Sequence, residues 1–129
     1  MKQNPPLQKS ILVVEDDESM HRFLHDILVE SGFQVLRARN GDEGMTHYRA
    51  HQPDLVLTDL VMPHRSGIEL IVLIRSEDKL TPIVAMTSSS PFTRANATYA
   101  GANAFLKKPF TPDALLAQIK ELLSSHSLQ

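Results

Sequence analysis

Five short apolar runs, separated by stretches with helical spacing, constrain the fold of this chain more than any other feature. The predicted strands lie at 11–14, 33–39, 55–58, 83–86 and 104–106. Runs of this length, rich in Val, Ile and Leu, are typical of strands buried on both faces of a parallel sheet. Between the runs, apolar residues recur every three or four positions, as in amphipathic helices. The chain therefore predicts five strand–helix units in succession.

The predicted helices have recognisable ends. Asp17 and Asn40 are typical N-caps, Gly32 is a typical C-terminal glycine, and Pro112 suits a first helical turn. The helices are expected between 17 and 32, from 40 to about 50, over 68–76, over 91–100 and from 112 onward. The first has an apolar stripe of Met20, Phe23, Leu24, Ile27 and Leu28, and the fourth only a weak one of Ala95, Ala97 and Tyr99.

Right-handed crossovers between successive parallel strands place helices on both faces of the sheet. We therefore predict an α/β, flavodoxin-like, doubly wound (βα)5 fold with a five-stranded parallel sheet in the order 2-1-3-4-5. At 129 residues the chain has the length of one domain. We expect a loose N-terminal lead-in over 1–9, the domain over 10–126 and a short tail over 127–129.

Acidic side chains follow two of the predicted strands. Glu15 and Asp16 follow the first strand, and Asp59 follows the third. In the 2-1-3-4-5 order the carboxyl ends of these two strands lie side by side, where such folds bind ligands. Like charges at close range disfavour ionisation, so a cation is expected between them, and an oxygen-rich site suits Mg²⁺. Thr87 and Lys108 reach the same edge; the alternative is that each polar residue merely caps a strand or a helix.

Composition excludes several other classes of protein. Lys+Arg 13 against Asp+Glu 15 gives a net charge of -2, which leaves no basic surplus for direct nucleic-acid binding. Cysteine is absent, so disulfides, thiolate metal sites and cysteine nucleophiles are excluded. The apolar runs are too short to span a membrane. We expect a cytoplasmic protein.

These motifs resemble, in order and spacing over about residues 10 to 126, the receiver domain of two-component response regulators. The segments that carry the resemblance are Ile11–Asp17, Leu57–Pro63, Gly67, Thr87 and Lys108–Phe110. The resemblance implies a phosphorylation-dependent signalling switch in which Asp59 accepts a phosphoryl group from a phosphohistidine. It also implies a Mg²⁺ site, with Mn²⁺ as a plausible substitute, formed by Glu15, Asp16, Asp59 and the backbone carbonyl of Val61.

The resemblance assigns further residues to the switch. Lys108 would contact the phosphoryl group, and the Lys108–Pro109 bond would be cis. Thr87 would turn toward the phosphoryl oxygen, and Phe105 would swing inward behind it, although Phe105 has an equally good interpretation as a plain core residue. Val61 is apolar where many members of the family are polar, from which we expect slow loss of the phosphoryl group.

The implied partners are a sensor histidine kinase or a histidine phosphotransfer protein, and an output protein that the sequence does not identify. The face built from the fourth helix, fifth strand and fifth helix is the expected docking surface, on a monomer or a weak dimer. The chain would not be an enzyme, beyond accepting and slowly losing its own phosphoryl group. Two alternatives stay open: a receiver fragment of a longer regulator with an effector domain, and a phosphorylation-independent docking module.

Other functions fit the residues less well. A hydrolase of the haloacid dehalogenase type needs a second aspartate where Val61 stands. A flavodoxin-like flavin carrier would bind phosphate at the first loop, where Glu15 and Asp16 repel it. His21 and His25, four residues apart, are a possible metal pair, but we expect both to be solvated.

Overall fold

The strands form one parallel sheet in the order that the sequence predicts. The structure, a computed structural model, describes residues 8–62, 65–87 and 91–127, with the side chains of 91–94, 126 and 127 left out. Its elements are β1 (Ser10–Val14), α1 (Glu18–Glu30), β2 (Gln34–Ala38), α2 (Gly41–His51), β3 (Leu55–Asp59), α3 (Gly67–Glu77), β4 (Ile83–Thr87), α4 (Pro91–Ala100), β5 (Ala104–Lys107) and α5 (Pro112–Ser127). The sheet order is β2-β1-β3-β4-β5. The α/β doubly wound fold is therefore confirmed, and every predicted strand lies within one residue of the observed one.

Alternating strand residues divide the core into two layers. Leu12 and Val14 of β1 point to the side that carries α2, α3 and α4, where they pack with Leu70 and Ile74. Ile11 and Val13 point to the side of α1 and α5 and pack with another set of buried residues, among them Leu24, Leu28, Leu115 and Ile119. Because both faces of the sheet are covered, β1, β3 and β4 are apolar at nearly every position.

The helices begin where their capping residues predict. Asp17 accepts a hydrogen bond from the Met20 amide at 2.7 Å, and Asn40 accepts one from the Glu43 amide at 2.9 Å. These side chains satisfy amides that have no partner within the helix. Gly32 follows α1 with a φ of 94°, a left-handed conformation that glycine adopts without strain.

Two predicted apolar positions are wrong. Phe23 is 38% exposed, and its ring lies against Phe110 with centroids 6.2 Å apart instead of entering the core. Tyr99 is 97% exposed, whereas the described α4 side chains that contact the core are alanines, the fully buried Ala97 and the partly buried Ala100. An alanine contact is small, which explains why the apolar period of α4 is weak. No helix among the described residues is long and apolar enough to cross a membrane.

Candidate functional site

The register of the strands brings the acidic and basic side chains to one edge of the sheet. Val14 pairs with Thr58, so the residues that follow them, Glu15 and Asp59, lie at the same level. On the other side of β3, Asp59 pairs with Met86, one residue before Thr87. Thr87 in turn pairs with Lys107, and Lys108 comes next. Four neighbouring strands thus contribute a polar residue to the carboxyl edge.

Lys108 lies between two carboxylates at this edge. Its Nζ is 2.9 Å from Oε1 of Glu15 and 3.1 Å from Oδ2 of Asp59. The Glu15 side chain is fully buried, and the side chains of Asp59 and Lys108 are only 13% and 18% exposed. The ammonium group is therefore an internal counterion for both acids. The sequence placed Lys108 near these residues but did not predict the direct ion pair with Glu15.

Burial and charge shift the protonation equilibria of this cluster. The pKa of the Glu15 carboxyl is raised to about 7, mainly by burial and also by the neighbouring Asp59, while Lys108 opposes both effects. Burial alone would lower the pKa of the Lys108 ammonium, but its hydrogen bond to Glu15 and the charge of Asp59 outweigh burial and raise it. The two acids therefore stabilise the charged form of Lys108, but the single ammonium does not fully stabilise the Glu15 carboxylate.

The carboxylates converge closely enough to share a cation. One oxygen each of Glu15, Asp16 and Asp59 lies within 4.8 Å of the other two. Asp16 is exposed, whereas Oε2 of Glu15 is buried and has no hydrogen-bond partner among the described residues. A buried carboxylate oxygen without a donor is costly unless a cation or water satisfies it. This donor set of hard oxygen atoms fits Mg²⁺.

The backbone around Asp59 is held in place by the start of α3. Gly67 donates its amide hydrogen to the Leu60 carbonyl at 3.2 Å. A Cβ atom at Gly67 would collide with the carbonyl oxygen of Asp59, so only glycine permits this approach. On the other side, the Val61 amide donates to Oδ1 of Asp59 at 3.3 Å, and Val61 itself is 71% exposed. The exposed Val61 is therefore joined to the Asp59 carboxylate through its backbone amide.

The remaining predicted residues lie along β4 and β5. Thr87 is 5% exposed, and its carbonyl accepts a hydrogen bond from the Lys108 amide at 2.7 Å. Phe105 is partly buried and packs against the core on the side of α2, α3 and α4. The Lys108–Pro109 peptide bond is cis.

The histidines differ from expectation in two respects. The Nε2 atom of His21 is buried. Burial lowers the pKa of the His21 imidazole, and the charge of the Arg37 guanidinium lowers it further. The expectation that His21 is solvated is therefore wrong. His25 is 46% exposed, as expected. Sequence reasoning also missed a second pair, His47 and His51, whose rings stack with centroids 5.8 Å apart. Their spacing of four residues on one helix was the signal that could have identified them.

Comparison with known proteins agrees with this geometry. A family model described as the response regulator receiver domain matches residues 11–120. The transcriptional regulatory protein DltR of Streptococcus agalactiae is 35% identical over 111 residues, which are 85% of this chain and 50% of DltR. The chain thus spans about half the length of that relative. The chemotaxis protein CheY of Bacillus subtilis is 35% identical over 116 residues, which are 88% of this chain and 97% of CheY.

Among solved structures, a CheY-like response regulator receiver domain protein from Methanospirillum hungatei has a TM-score of 0.90 at 29% sequence identity. That match covers 94% of this chain and 98% of the other. The sheet order, the acidic edge and the sequence match all point to one family. The chain belongs to the response regulator receiver domain family.

Proposed function

We propose that this domain is a phosphorylation-dependent signalling switch whose phosphoacceptor is Asp59. The observation that carries the proposal is the position of the Asp59 carboxylate, 3.1 Å from the Lys108 ammonium and within 4.8 Å of oxygens of Glu15 and Asp16. An acid at an open sheet edge, beside a cation and two more acids, is suited to receive a transferred phosphoryl group. The donor would be a phosphohistidine of a cytoplasmic sensor kinase or of a histidine phosphotransfer protein.

The nucleophile of the transfer step is the Asp59 carboxylate. An oxygen of Asp59 attacks the phosphorus atom, the phosphorus–nitrogen bond of phosphohistidine breaks, and the bonding electrons return to the imidazole, which takes up a proton. The product is an acyl phosphate on Asp59. Water later cleaves that acyl phosphate and regenerates the carboxylate, so the domain consumes its own phosphoryl group and turns over no external substrate.

A Mg²⁺ ion, or Mn²⁺ in its place, would be held by Glu15, Asp16, Asp59 and the backbone carbonyl of Val61. When bound, such an ion offsets the repulsion between carboxylate and phosphate and stabilises charge on the transferring oxygens. The support for this assignment is the unpartnered, buried Oε2 atom of Glu15 and the three converging carboxylates. Glu15 reaches one methylene further than the aspartate more frequent at this position.

The other edge residues would detect the phosphoryl group. Lys108 is near enough to exchange its bond with Glu15 for one with a phosphoryl oxygen, as a mobile point charge. Thr87 would offer its hydroxyl to another oxygen, and Phe105 would follow it inward. A phosphoryl group adds roughly -1.5 to -2 of charge, enough to bias a loop and helix that have two arrangements.

The response would appear on the face of α4, β5 and α5. Among the described side chains of α4, Ala97 is fully buried and Ala100 packs against the core, whereas Tyr99 is 97% exposed. A helix held by little apolar surface shifts at low cost. This face would therefore bind the output protein, or a second copy in a weak dimer, according to the phosphorylation state.

Two forms of the output remain compatible with this mechanism. CheY of Bacillus subtilis is matched over 97% of its length, which supports a single-domain regulator or a phosphorelay intermediate. DltR is matched over 50% of its length and is a transcriptional regulatory protein, which supports a receiver attached to an effector domain. A docking module that needs no phosphorylation is the weaker alternative, because Glu15, Asp59 and Lys108 already form a connected charged cluster.

Intact-protein mass after incubation with acetyl phosphate tests the proposal. The parent should gain one phosphoryl group with Mg²⁺ and none with EDTA, and Asp59→Asn should gain none in either buffer. Circular dichroism of Asp59→Asn serves as the folding control, since the substitution is nearly isosteric and removes one of three clustered negative charges. No gain by the folded parent under any condition would contradict the switch and favour the docking module.

A further inference from the structure

The histidine pair on α2 lies outside the acidic site and has no part in the proposed switch. His47 and His51 are four residues apart, one helical turn, and their rings stack at a centroid separation of 5.8 Å with an interplanar angle of 20°. His51 is exposed and His47 is half-buried. We propose that His47 and His51 form a chelating site for a divalent transition-metal ion of the Zn²⁺, Ni²⁺ and Cu²⁺ class.

The ring separation permits one ion to bind both imidazoles. A zinc–nitrogen bond is about 2.0–2.1 Å, which puts a ring centroid about 3.2 Å from the ion that it ligates. Two rings on one ion are therefore at most about 6.4 Å apart, and less when the ligands are tetrahedral. The observed 5.8 Å lies inside this limit. Rotation of the exposed His51 ring would turn its nitrogen toward an ion shared with His47 without moving the helix backbone.

The charged side chains closest in sequence to the pair have partners of their own. The Glu43 carboxylate accepts a hydrogen bond from the Arg39 amide, and the Asp54 carboxylate accepts hydrogen bonds from Ser10. Arg49, the positive side chain closest in sequence, is paired with Glu77 of α3 at 2.5 Å. By contrast, the pair His21 and His25 on α1 lies beside the Arg37 guanidinium, and burial lowers the pKa of His21. The two pairs have the same spacing and similar ring separations, 5.8 Å and 5.9 Å, but Nε2 of His21 is buried and Nδ1 of His25 lies 3.3 Å from Oδ1 of Asp26.

Ligand chemistry separates this site from the acidic edge. Imidazole nitrogen suits zinc, nickel and copper, whereas carboxylate and carbonyl oxygen suit magnesium. Excess Mg²⁺ should therefore fill the acidic edge and leave the imidazole pair available. Two protein ligands leave the other coordination positions to water, so the expected affinity is that of an open chelate and not of a closed structural zinc site.

The test is electron paramagnetic resonance of Cu²⁺, added at one equivalent to the full chain in excess Mg²⁺. Nitrogen hyperfine structure counts the imidazole ligands, and a titration gives the affinity. The parent should show two nitrogen ligands. His47→Gln and His51→Gln should each show one nitrogen or none and bind at least about tenfold more weakly, a loss of about 1.4 kcal/mol or more.

His25→Gln is the matched control, because it breaks the other pair with the same spacing, and Asp59→Asn controls for the acidic edge. Both should bind Cu²⁺ like the parent. Parent-like affinity in His51→Gln would overturn the proposal, and so would a loss in His25→Gln that equals the loss in His51→Gln. Circular dichroism should give the same helix content for every variant, since these side chains are partly or fully at the surface.

Discussion

Replacing Lys108 by methionine removes the ammonium between Glu15 and Asp59 and keeps most of the side-chain volume. In the parent, Nζ lies 2.9 Å from Glu15 and 3.1 Å from Asp59, and both carboxylates are mostly or fully buried. The substitution therefore leaves two acids close together without their counterion. We expect Lys108→Met to destabilise the metal-free domain.

The size of the effect follows from burial. Removing one partner of a buried ion pair costs about 3–5 kcal/mol when the remaining charge stays uncompensated. Here the pKa of Glu15 is already about 7, so the carboxyl can take up a proton and avoid part of that cost. The expected loss in the free energy of unfolding at pH 7.5 in EDTA is about 2–3 kcal/mol, which lowers the urea midpoint by about 1–2 M.

Urea denaturation followed by circular dichroism measures this loss, with Lys107→Met as the matched control. Lys107 is the preceding residue and is exposed, so its substitution should change the midpoint little. Excess Mg²⁺ should recover part of the stability of Lys108→Met, because a bound cation replaces the missing positive charge. Equal midpoints for the two variants in EDTA would refute the counterion role of Lys108.

Three further substitutions test other parts of the account. Glu15→Gln should raise the free energy of unfolding in EDTA by about 1–3 kcal/mol at pH 7.5, because burial and the neighbouring Asp59 together shift the carboxyl pKa from 4.5 to about 7 against the effect of Lys108. The same substitution should weaken Mg²⁺ binding, and a calorimetric titration that finds unchanged affinity would contradict the ligand role. Val61→Asn should shorten the lifetime of the phosphorylated form, since a polar side chain beside Asp59 can orient water where the exposed valine cannot. A lifetime no shorter than that of the parent would contradict the role of Val61 in hindering attack by water. Asp78→Asn should cost about 1–2 kcal/mol at pH 7, because the carboxylate accepts hydrogen bonds from the hydroxyls of Tyr48 and Thr81. Burial would raise the pKa of the Asp78 carboxyl, but these bonds hold it well below its ordinary value of 3.8. The stabilisation by Asp78 is therefore present above pH 3.8 and is lost as the pH falls through the lower pKa of the folded state. A difference in the free energy of unfolding between parent and variant that stays constant down to acidic pH would be evidence against this network.

The strands and their order could be predicted because local signals and packing agree. Each strand of the sheet interior is covered on both faces, so its sequence is continuously apolar, and the topology then follows from right-handed crossovers. The same rule placed Glu15, Asp59 and Lys108 at one edge. Where the strand order decides which strand ends are neighbours, the sequence is sufficient to place the side chains that follow them.

Contacts between distant segments were not predictable in the same way. The bond between Lys108 and Glu15 joins residues 93 positions apart, and its length depends on the exact register of four strands. Phe23 has the period of a core residue but is 38% exposed and lies against Phe110, 87 positions away in the sequence. Tyr99 is 97% exposed although it belongs to the same predicted apolar face as the fully buried Ala97. Periodicity identifies an apolar face but not how much of it is covered.

The most direct test of the central claim identifies the phosphorylated atom itself. Borohydride reduction of the phosphorylated domain converts an aspartyl phosphate to homoserine, and peptide mass spectrometry then locates the changed residue. The account predicts homoserine at position 59 in the sample treated with acetyl phosphate and Mg²⁺, and unmodified Asp59 in the sample treated with EDTA. Reduction at Glu15 or Asp16 instead, with Asp59 intact, would contradict it.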